Sequence, residues 1–343
     1  MFNWRLLLFP FALIYGVIMY CRNLFYDFGI FRTHKIRSKS IVVGNLSVGG
    51  TGKSPHILYL TELLNKSLPL AILSRGYGRS TKGLLEVSVN SNSNDVGDEP
   101  LMFKKRLNQN AMVVVAEERK KGVVFIEQKQ QGIILLDDAF QHRKVTAGFN
   151  MLLTDYSFPF YHDFMLPAGN LRELKIGKKR AHCIVVTKCP DKLPSEEKES
   201  IINNLNVKRI PVFFSKMVYG ELISFGKPLS DLNNIQKAIL VTGIAKPQPL
   251  LKRLNRFYEV ELLAFPDHYN FSREDCAEIH RKFDTFAHEN CAIITTEKDF
   301  VRLDSLLTSE EKTKYPWYYQ SITVKIDEEE KFKDLINSYV DTI

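Results

Sequence analysis

Lys53 and Ser54 are the residues whose sequence context most narrows the chemistry open to this chain. They close the run Ile41-Val-Val-Gly-Asn-Leu-Ser-Val-Gly-Gly-Thr-Gly-Lys-Ser-Pro55, which reads as an apolar strand, a glycine-rich turn and the start of an amphipathic helix. Such a turn lets backbone N–H groups curl around phosphate oxygens, and the helix N-terminus adds partial positive charge. An ammonium at Lys53 reaches the β- and γ-phosphates, and the Ser54 hydroxyl can hold Mg²⁺. Ser47, Val48, Gly49, Gly50, Thr51, Gly52, Lys53 and Ser54 are therefore expected to form a nucleoside-triphosphate site. The strict P-loop pattern has glycine at position 47, where this chain has Ser47.

A second run, Ile133-Ile-Leu-Leu-Asp137-Asp138, has the form of a buried strand that ends in carboxylates. Mg²⁺ is a hard cation that prefers oxygen ligands, so Asp138, with Asp137 nearby, is expected to share the metal with Ser54. Ser74-Arg75-Gly-Tyr-Gly-Arg79 follows a short apolar strand, at the sheet edge where open α/β folds bind ligands. Two further residues have plain alternative readings. Asp98, in Gly97-Asp98-Glu99-Pro100, also suits a helix N-cap, and His268, in Phe265-Pro-Asp-His-Tyr-Asn-Phe271, also suits a loop histidine with local partners.

The elements that must position these residues follow from the apolar pattern. Strands are expected over 70–73, 84–89, 112–115, 133–136, 150–154 and 183–187, with helices after Pro55, from Gly97 and over 117–130. Strands alternating with helices imply a mostly parallel sheet flanked by helices, an α/β fold of the P-loop NTPase kind. A second α/β set begins after about residue 218, with strands over 238–242, 259–264 and 291–295. A helix capped by Ser272 should run to about residue 288. The expected organisation is an N-terminal membrane-associated helix (1–28), a nucleotide-binding core (29–217) and a smaller C-terminal α/β lobe (218–343).

At 343 residues the chain is long enough for two domains with real cores, and 45% hydrophobic with 25% charged residues is an ordinary globular balance. Five cysteines without a CxxC pair fit reduced thiols better than a disulfide framework or a zinc site. The net charge is 47 − 39 = +8, and Arg22, Arg32, Lys35, Arg37 and Lys39 supply much of it just after an apolar segment. That placement suits anionic lipid headgroups better than nucleic acid, for which no module is visible. The segment from Leu6 to Tyr20, flanked by Trp4, Arg5 and Arg22 and carrying Pro10 and Gly16, is short for a straight bilayer span. A helix lying in the membrane interface, a single span and a buried core helix all remain open, and the first fits the length best. Inner-membrane lipids are thus expected partners, with the rest of the chain on the cytoplasmic side; no obligate protein partner is evident.

The motifs taken together are more specific than any one. Val-Gly-Gly-Thr-Gly-Lys-Ser-Pro, Ser-Arg-Gly-Tyr-Gly-Arg, Gly-Asp-Glu-Pro, Asp-Asp-Ala-Phe-Gln-His, Leu-Pro-Ala-Gly-Asn-Leu-Arg-Glu, Phe-Pro-Asp-His-Tyr-Asn-Phe and Thr-Glu-Lys-Asp occur in that order. The series, from the apolar N-terminus to about residue 303, closely resembles the tetraacyldisaccharide 4′-kinase family. The resemblance implies ATP and Mg²⁺ as cofactors and an acylated glucosamine disaccharide 1-phosphate as acceptor, in lipid A biosynthesis at the cytosolic face of the Gram-negative inner membrane. It also implies that Asp98 and His268 are the catalytic pair. An attacking sugar hydroxyl needs a proton acceptor, and an aspartate oriented by a histidine can be one. By the same resemblance Arg172 faces the developing phosphoryl charge or the substrate phosphate, Glu173 joins the metal shell, and Arg75, Arg79, Gln141 and His142 line the substrate side. The chain departs from the family pattern at Ser54, Ala139, Asn170, Leu174 and Lys246; Ser54 keeps the metal-binding hydroxyl.

Two other classes are considered. Thr187-Lys188-Cys189-Pro190-Asp191 superficially matches the guanine-reading loop of a GTPase or nucleotide switch, but its asparagine is missing and its aspartate is one position late. A non-enzymatic basic binder would need basic and aromatic residues interleaved on a platform, and none is evident.

Overall fold

The structure is a computed structural model describing residues 4–64, 68–130, 132–229, 232–286 and 290–341. The strands of the first lobe are β1 (His34–Lys35), β2 (Lys39–Asn45), β3 (Leu70–Ser74), β4 (Leu85–Glu86), β5 (Ala111–Val115), β6 (Ile133–Asp137), β7 (Val145–Thr146), β8 (Phe149–Asp155) and β9 (Cys183–Thr187). They are followed by β10 (Val212–Ser224), β11 (Lys237–Thr242), β12 (Glu259–Ala264), β13 (Cys291–Thr296) and β14 (Trp317–Ile326). Strands β1 and β7 pair with each other; the rest form one sheet in the order β12-β11-β13-β14-β10-β9-β8-β2-β6-β3-β5-β4.

Within the first lobe β5, β3, β6, β2, β8 and β9 are mutually parallel. Strands β3, β6 and β9 are buried along their whole length, which is why they read as unbroken apolar runs. One face is covered by the helices Lys53–Leu64, Asp98–Leu107 and Glu329–Asp341, through Ile57, Leu60, Phe103, Phe332 and Ile336. Helices Arg119–Lys129 and Ser195–Leu205 cover the other through Val123, Ile126, Ile201 and Leu205. Strand β4 is only the pair Leu85–Glu86, an antiparallel edge within the expected 84–89.

The lobes meet inside a strand. Val212–Phe214 of β10 pair in parallel with β9, and from Ser215 onward β10 pairs antiparallel with β14. The expected boundary near 217 falls within it, and one hydrogen-bonded sheet passes from lobe to lobe. The C-terminal helix then returns to the first lobe, where Tyr339 Oη accepts from Ser40 N at 2.9 Å and donates to Ser40 O at 3.0 Å. In the second lobe the helix Arg273–Asp284 begins with a capping box between Ser272 and Asp275; residues 287–289, where the sequence had it ending, lie outside the described residues.

A short 3₁₀ turn, Trp4–Leu8, leads into the helix Phe9–Asp27, longer than the apolar segment alone suggested; the Trp4 side chain lies outside the described residues. Pro10 occupies the first turn, where its missing N–H costs no hydrogen bond, so it does not interrupt the helix. Gly16 marks a close approach: a Cβ there would lie 3.7 Å from Leu174 and Met165. The buried stripe is Ala12, Gly16 and Tyr26, whereas Leu7, Phe11, Leu13, Ile14, Val17 and Ile18 are more than half exposed. By length and composition the helix could also cross a membrane.

Candidate active site

The glycine-rich turn leaves β2 at the carboxyl edge of the sheet. Gly49 and Gly52 have φ of 104° and 84°, and the positions where Cβ atoms of Gly49 and Gly50 would lie are open, which makes a backbone cradle without side chains in it. The cradle is held from behind. Thr187 Oγ1 donates to Thr51 O at 2.9 Å, and Lys188 Nζ donates to Gly50 O and to Asp155 at 2.8 Å. His56, fully buried on the following helix, contacts Gly52 O at 2.7 Å through Nδ1 and Ser215 Oγ at 2.9 Å through Nε2. Burial pushes its pKa down to about 4, so it is neutral.

Lys53 Nζ lies 3.7 Å from Asp138 Oδ2. Arg172 grips the same carboxylate with two nitrogens, at 3.0 and 2.7 Å, and also donates to the Asn45 side chain. Burial alone would raise the Asp138 pKa, but the Arg172 hydrogen bonds and the Lys53 charge outweigh it and hold it below the ordinary value. Asp137 behaves oppositely. It is buried, accepts from Ser74 Oγ at 2.9 Å, and is pushed up by burial and by the charges of Glu99 and Asp138. Its Oδ1 is buried without a hydrogen-bond partner.

The oxygen donors of Ser54, Asp138 and Asp137 suit a hard cation. Among the described residues no three His, Cys, Asp or Glu side chains form a cage. That fits Mg²⁺, which is commonly held by one or two carboxylates together with substrate phosphates and water.

A second constellation gathers at the start of the helix Asp98–Leu107. Gly97 has φ of 92°, and a Cβ on it would come within 3.1 Å of Gly76 Cα, so two glycines let the 74–79 loop press against the start of the helix Asp98–Leu107. Glu99 in its first turn accepts from Ser54 Oγ at 3.2 Å, which ties this helix to the P-loop. Asp98 Oδ2 lies 3.5 Å from His268 Nδ1, and the His268 ring lies against Tyr77. Residues 170 positions apart are thus brought together beside the phosphate cradle.

The other expected substrate residues are distributed unevenly. Arg75 is exposed at the end of β3. His142 is held neutral, its pKa lowered to about 4 by burial and then by the charges of Arg119 and Arg75. Arg79 is turned inward, to Glu117 at 2.5 Å and Gly83 O, and braces its own loop. Gln141 donates to Asn45 O at 2.7 Å and to Glu173 at 2.8 Å. Glu173, expected in the metal shell, is engaged by protein groups. Its buried carboxylate takes two 2.8 Å contacts from Arg180 and one of 3.1 Å from Asn23 on the N-terminal helix. Asn45, Glu99 and Arg302 are residues the sequence reading gave no role, although Glu99 lies in a quoted motif.

A family model described as tetraacyldisaccharide-1-P 4′-kinase matches residues 4–341. The chain belongs to this family. Among curated relatives, the tetraacyldisaccharide 4′-kinase of Flavobacterium psychrophilum is 42% identical, covering 98% of this chain and 97% of its own. That of Parabacteroides distasonis is 38% identical, covering 98% and 95%. The solved structure of LpxK from Aquifex aeolicus in complex with ATP superposes with a TM-score of 0.77 at 32% identity, covering 98% of this chain and 99% of that one. Tetraacyldisaccharide 4′-kinase membership sets the GTPase reading aside, and the loop that suggested it has other work here: Lys188 backs the cradle and Asp191 pairs with Lys216 at 2.8 Å.

Proposed function

We propose that this chain transfers the γ-phosphate of ATP to the 4′-hydroxyl of a tetraacylated disaccharide 1-phosphate, with Asp98 as proton acceptor. The observation that carries the reading is the Asp98–His268 contact at 3.5 Å, on a helix whose next residue accepts from the P-loop serine at 3.2 Å. Residues 47–54 cradle the triphosphate, Lys53 reaches its outer phosphates, and Ser54, Asp138 and Asp137 would hold Mg²⁺. The cation, when bound, neutralises phosphate charge. In the step itself the 4′ oxygen bonds to the γ-phosphorus and its proton passes to Asp98. The bond to the β,γ-bridging oxygen breaks, and ADP leaves with the electron pair.

Lys53 and Arg172 share Asp138 as partner, so an arriving polyphosphate offers them a more strongly charged one. Arg172 is our assignment for the transferring phosphoryl group, and Arg75 and His142 for the acceptor side. The apolar N-terminal helix supports a monotopic site on a membrane, since its buried stripe faces the protein and its exposed face is apolar; the cytoplasmic face of the inner membrane is our reading from the family resemblance.

The test is direct. Purified protein with labelled ATP, Mg²⁺ and the tetraacylated disaccharide 1-phosphate in detergent should yield a bis-phosphorylated lipid. Asp98→Ala should lose on the order of 10²–10⁴ in kcat with KM for ATP near normal. Near-wild-type turnover in that variant removes Asp98 from the chemistry.

A further inference from the structure

The Thr-Glu-Lys-Asp motif finds no role in the phosphate chemistry above. It opens the helix Glu297–Leu303, capped by Thr296, whose Oγ1 accepts from Asp299 N. Lys298 and Arg302 stand four residues apart, and so project from one helix face. That face meets the catalytic pair from the second lobe. Lys298 Nζ lies 3.3 Å from His268 Nε2 and 3.4 Å from Glu99 Oε1. Arg302 Nη1 lies 3.5 Å from Asp98 Oδ2.

Arg302 is itself held. Its other terminal nitrogen pairs with Asp299, and its guanidinium lies over the Phe271 ring, 5.5 Å from the centroid. Asp299 is fully buried and accepts from Gly243 N at 3.0 Å, Thr296 Oγ1 at 2.7 Å and Thr242 Oγ1 at 3.3 Å. The arginine thus approaches Asp98 from a carboxylate fixed on three sides. Arg302 Nη1 is buried and makes no hydrogen bond, so the Asp98 carboxylate is the charge nearest to satisfying it.

The ammonium of Lys298 has donors and no lone pair to offer. Facing it, His268 Nε2 must present its own lone pair, and the ring proton then resides on Nδ1, the nitrogen turned to Asp98. We infer that Lys298 and Arg302 are positioning residues: Lys298 selects the His268 tautomer with Nδ1–H directed at Asp98, and Arg302 fixes the carboxylate through Oδ2. Neither contact uses Asp98 Oδ1. The inference rests on the reading of Asp98 and His268 as the proton-accepting pair.

Proton–nitrogen correlation spectra of labelled protein at about pH 8, where an ordinary histidine is neutral, distinguish the two tautomers; His268→Gln assigns the signal. Wild type should show Nδ1–H, and an Nε2–H tautomer there overturns the inference without recourse to any variant. In Lys298→Met the tautomer should revert to Nε2–H. Its kcat should fall about tenfold to a hundredfold while KM for ATP stays within about twofold. Arg302→Lys should recover a substantial part of the kcat that Arg302→Met loses. Asp98→Ala runs beside them. If it keeps turnover, the underlying reading fails. If it is inactive while Lys298→Met keeps both wild-type kcat and tautomer, the positioning roles alone fail.

Discussion

At the scale of single residues, charge pairing divides the acidic side chains into those open to a ligand and those already committed. Asp138 is shared between Lys53 and Arg172 at the mouth of the cradle and remains one-third exposed. Glu173, one position after Arg172, is buried and saturated by Arg180, Gln141 and Asn23. Removing one partner of a buried ion pair leaves the other uncompensated, so Glu173→Ala should cost about 3 kcal/mol of stability, read by urea denaturation. The Mg²⁺ concentration for half-maximal turnover of the folded variant should not change; a clear rise would return Glu173 to the metal shell. The sequence put these two carboxylates in one class because both sit in motifs. What separates them is Arg180, seven residues on and in no motif, and only folding brings it to bear.

Elements carry the next level of specificity. The helix Phe9–Asp27 is docked through its buried stripe, and Tyr15 Oη donates to Arg172 O at 3.0 Å. Gly16→Leu would force side-chain atoms against Leu174 and Met165, at a cost of about 1–3 kcal/mol. It should also lower turnover by displacing the Arg172 segment, with vesicle binding retained; unchanged kcat would uncouple the helix from the site. In the second lobe the helix Arg273–Asp284 is fastened by His280, which stacks on Tyr315 at 3.7 Å and accepts from Trp317 Nε1 at 3.0 Å. Burial lowers the His280 pKa below its ordinary value of about 6.5. As pH falls through that ordinary value the unfolded chain binds a proton that the folded one resists, so this contribution to stability is lost on acidification. His280→Gln, which keeps an acceptor for the indole, should lose less stability than wild type between about pH 7 and pH 5. An equal loss in both would exclude His280 as the source.

Across the whole molecule, the sheet does not respect the division into lobes. Strand β10 is hydrogen-bonded to both, and Tyr339 near the chain end closes onto Ser40 in the P-loop strand β2. Denaturation should therefore be a single transition, with fluorescence of the buried Trp317 (in a Trp4→Phe background) and far-ultraviolet circular dichroism superimposing. Two separated midpoints would mean that the lobes unfold independently. Most of the first lobe was legible in the sequence because its strands are covered on both faces and read as apolar runs. Strands β10 and β14 were not, for a physical reason. Strand β10 from Lys216 onward is only partly buried, so Lys216 and Glu221 break its pattern. In β14 the buried Gln320 and the exposed Lys325 interrupt the apolar run, and the pairing of the two strands is set by partners about a hundred residues away. The glycine-rich turn after β2 was legible because phosphate chemistry fixes local spacing; the Asp98–His268 contact, spanning two lobes, needed the resemblance.

The hydrogen bond from Tyr15 to the Arg172 carbonyl has a kinetic corollary. If the helix Phe9–Asp27 anchors the protein and Arg172 meets the transferring phosphoryl group, as proposed above, the acceptor is met by lateral diffusion in two dimensions. Diluting the acceptor with inert lipid at constant bulk amount should then slow the reaction, while adding more vesicles of the same composition should not speed it once all enzyme is bound.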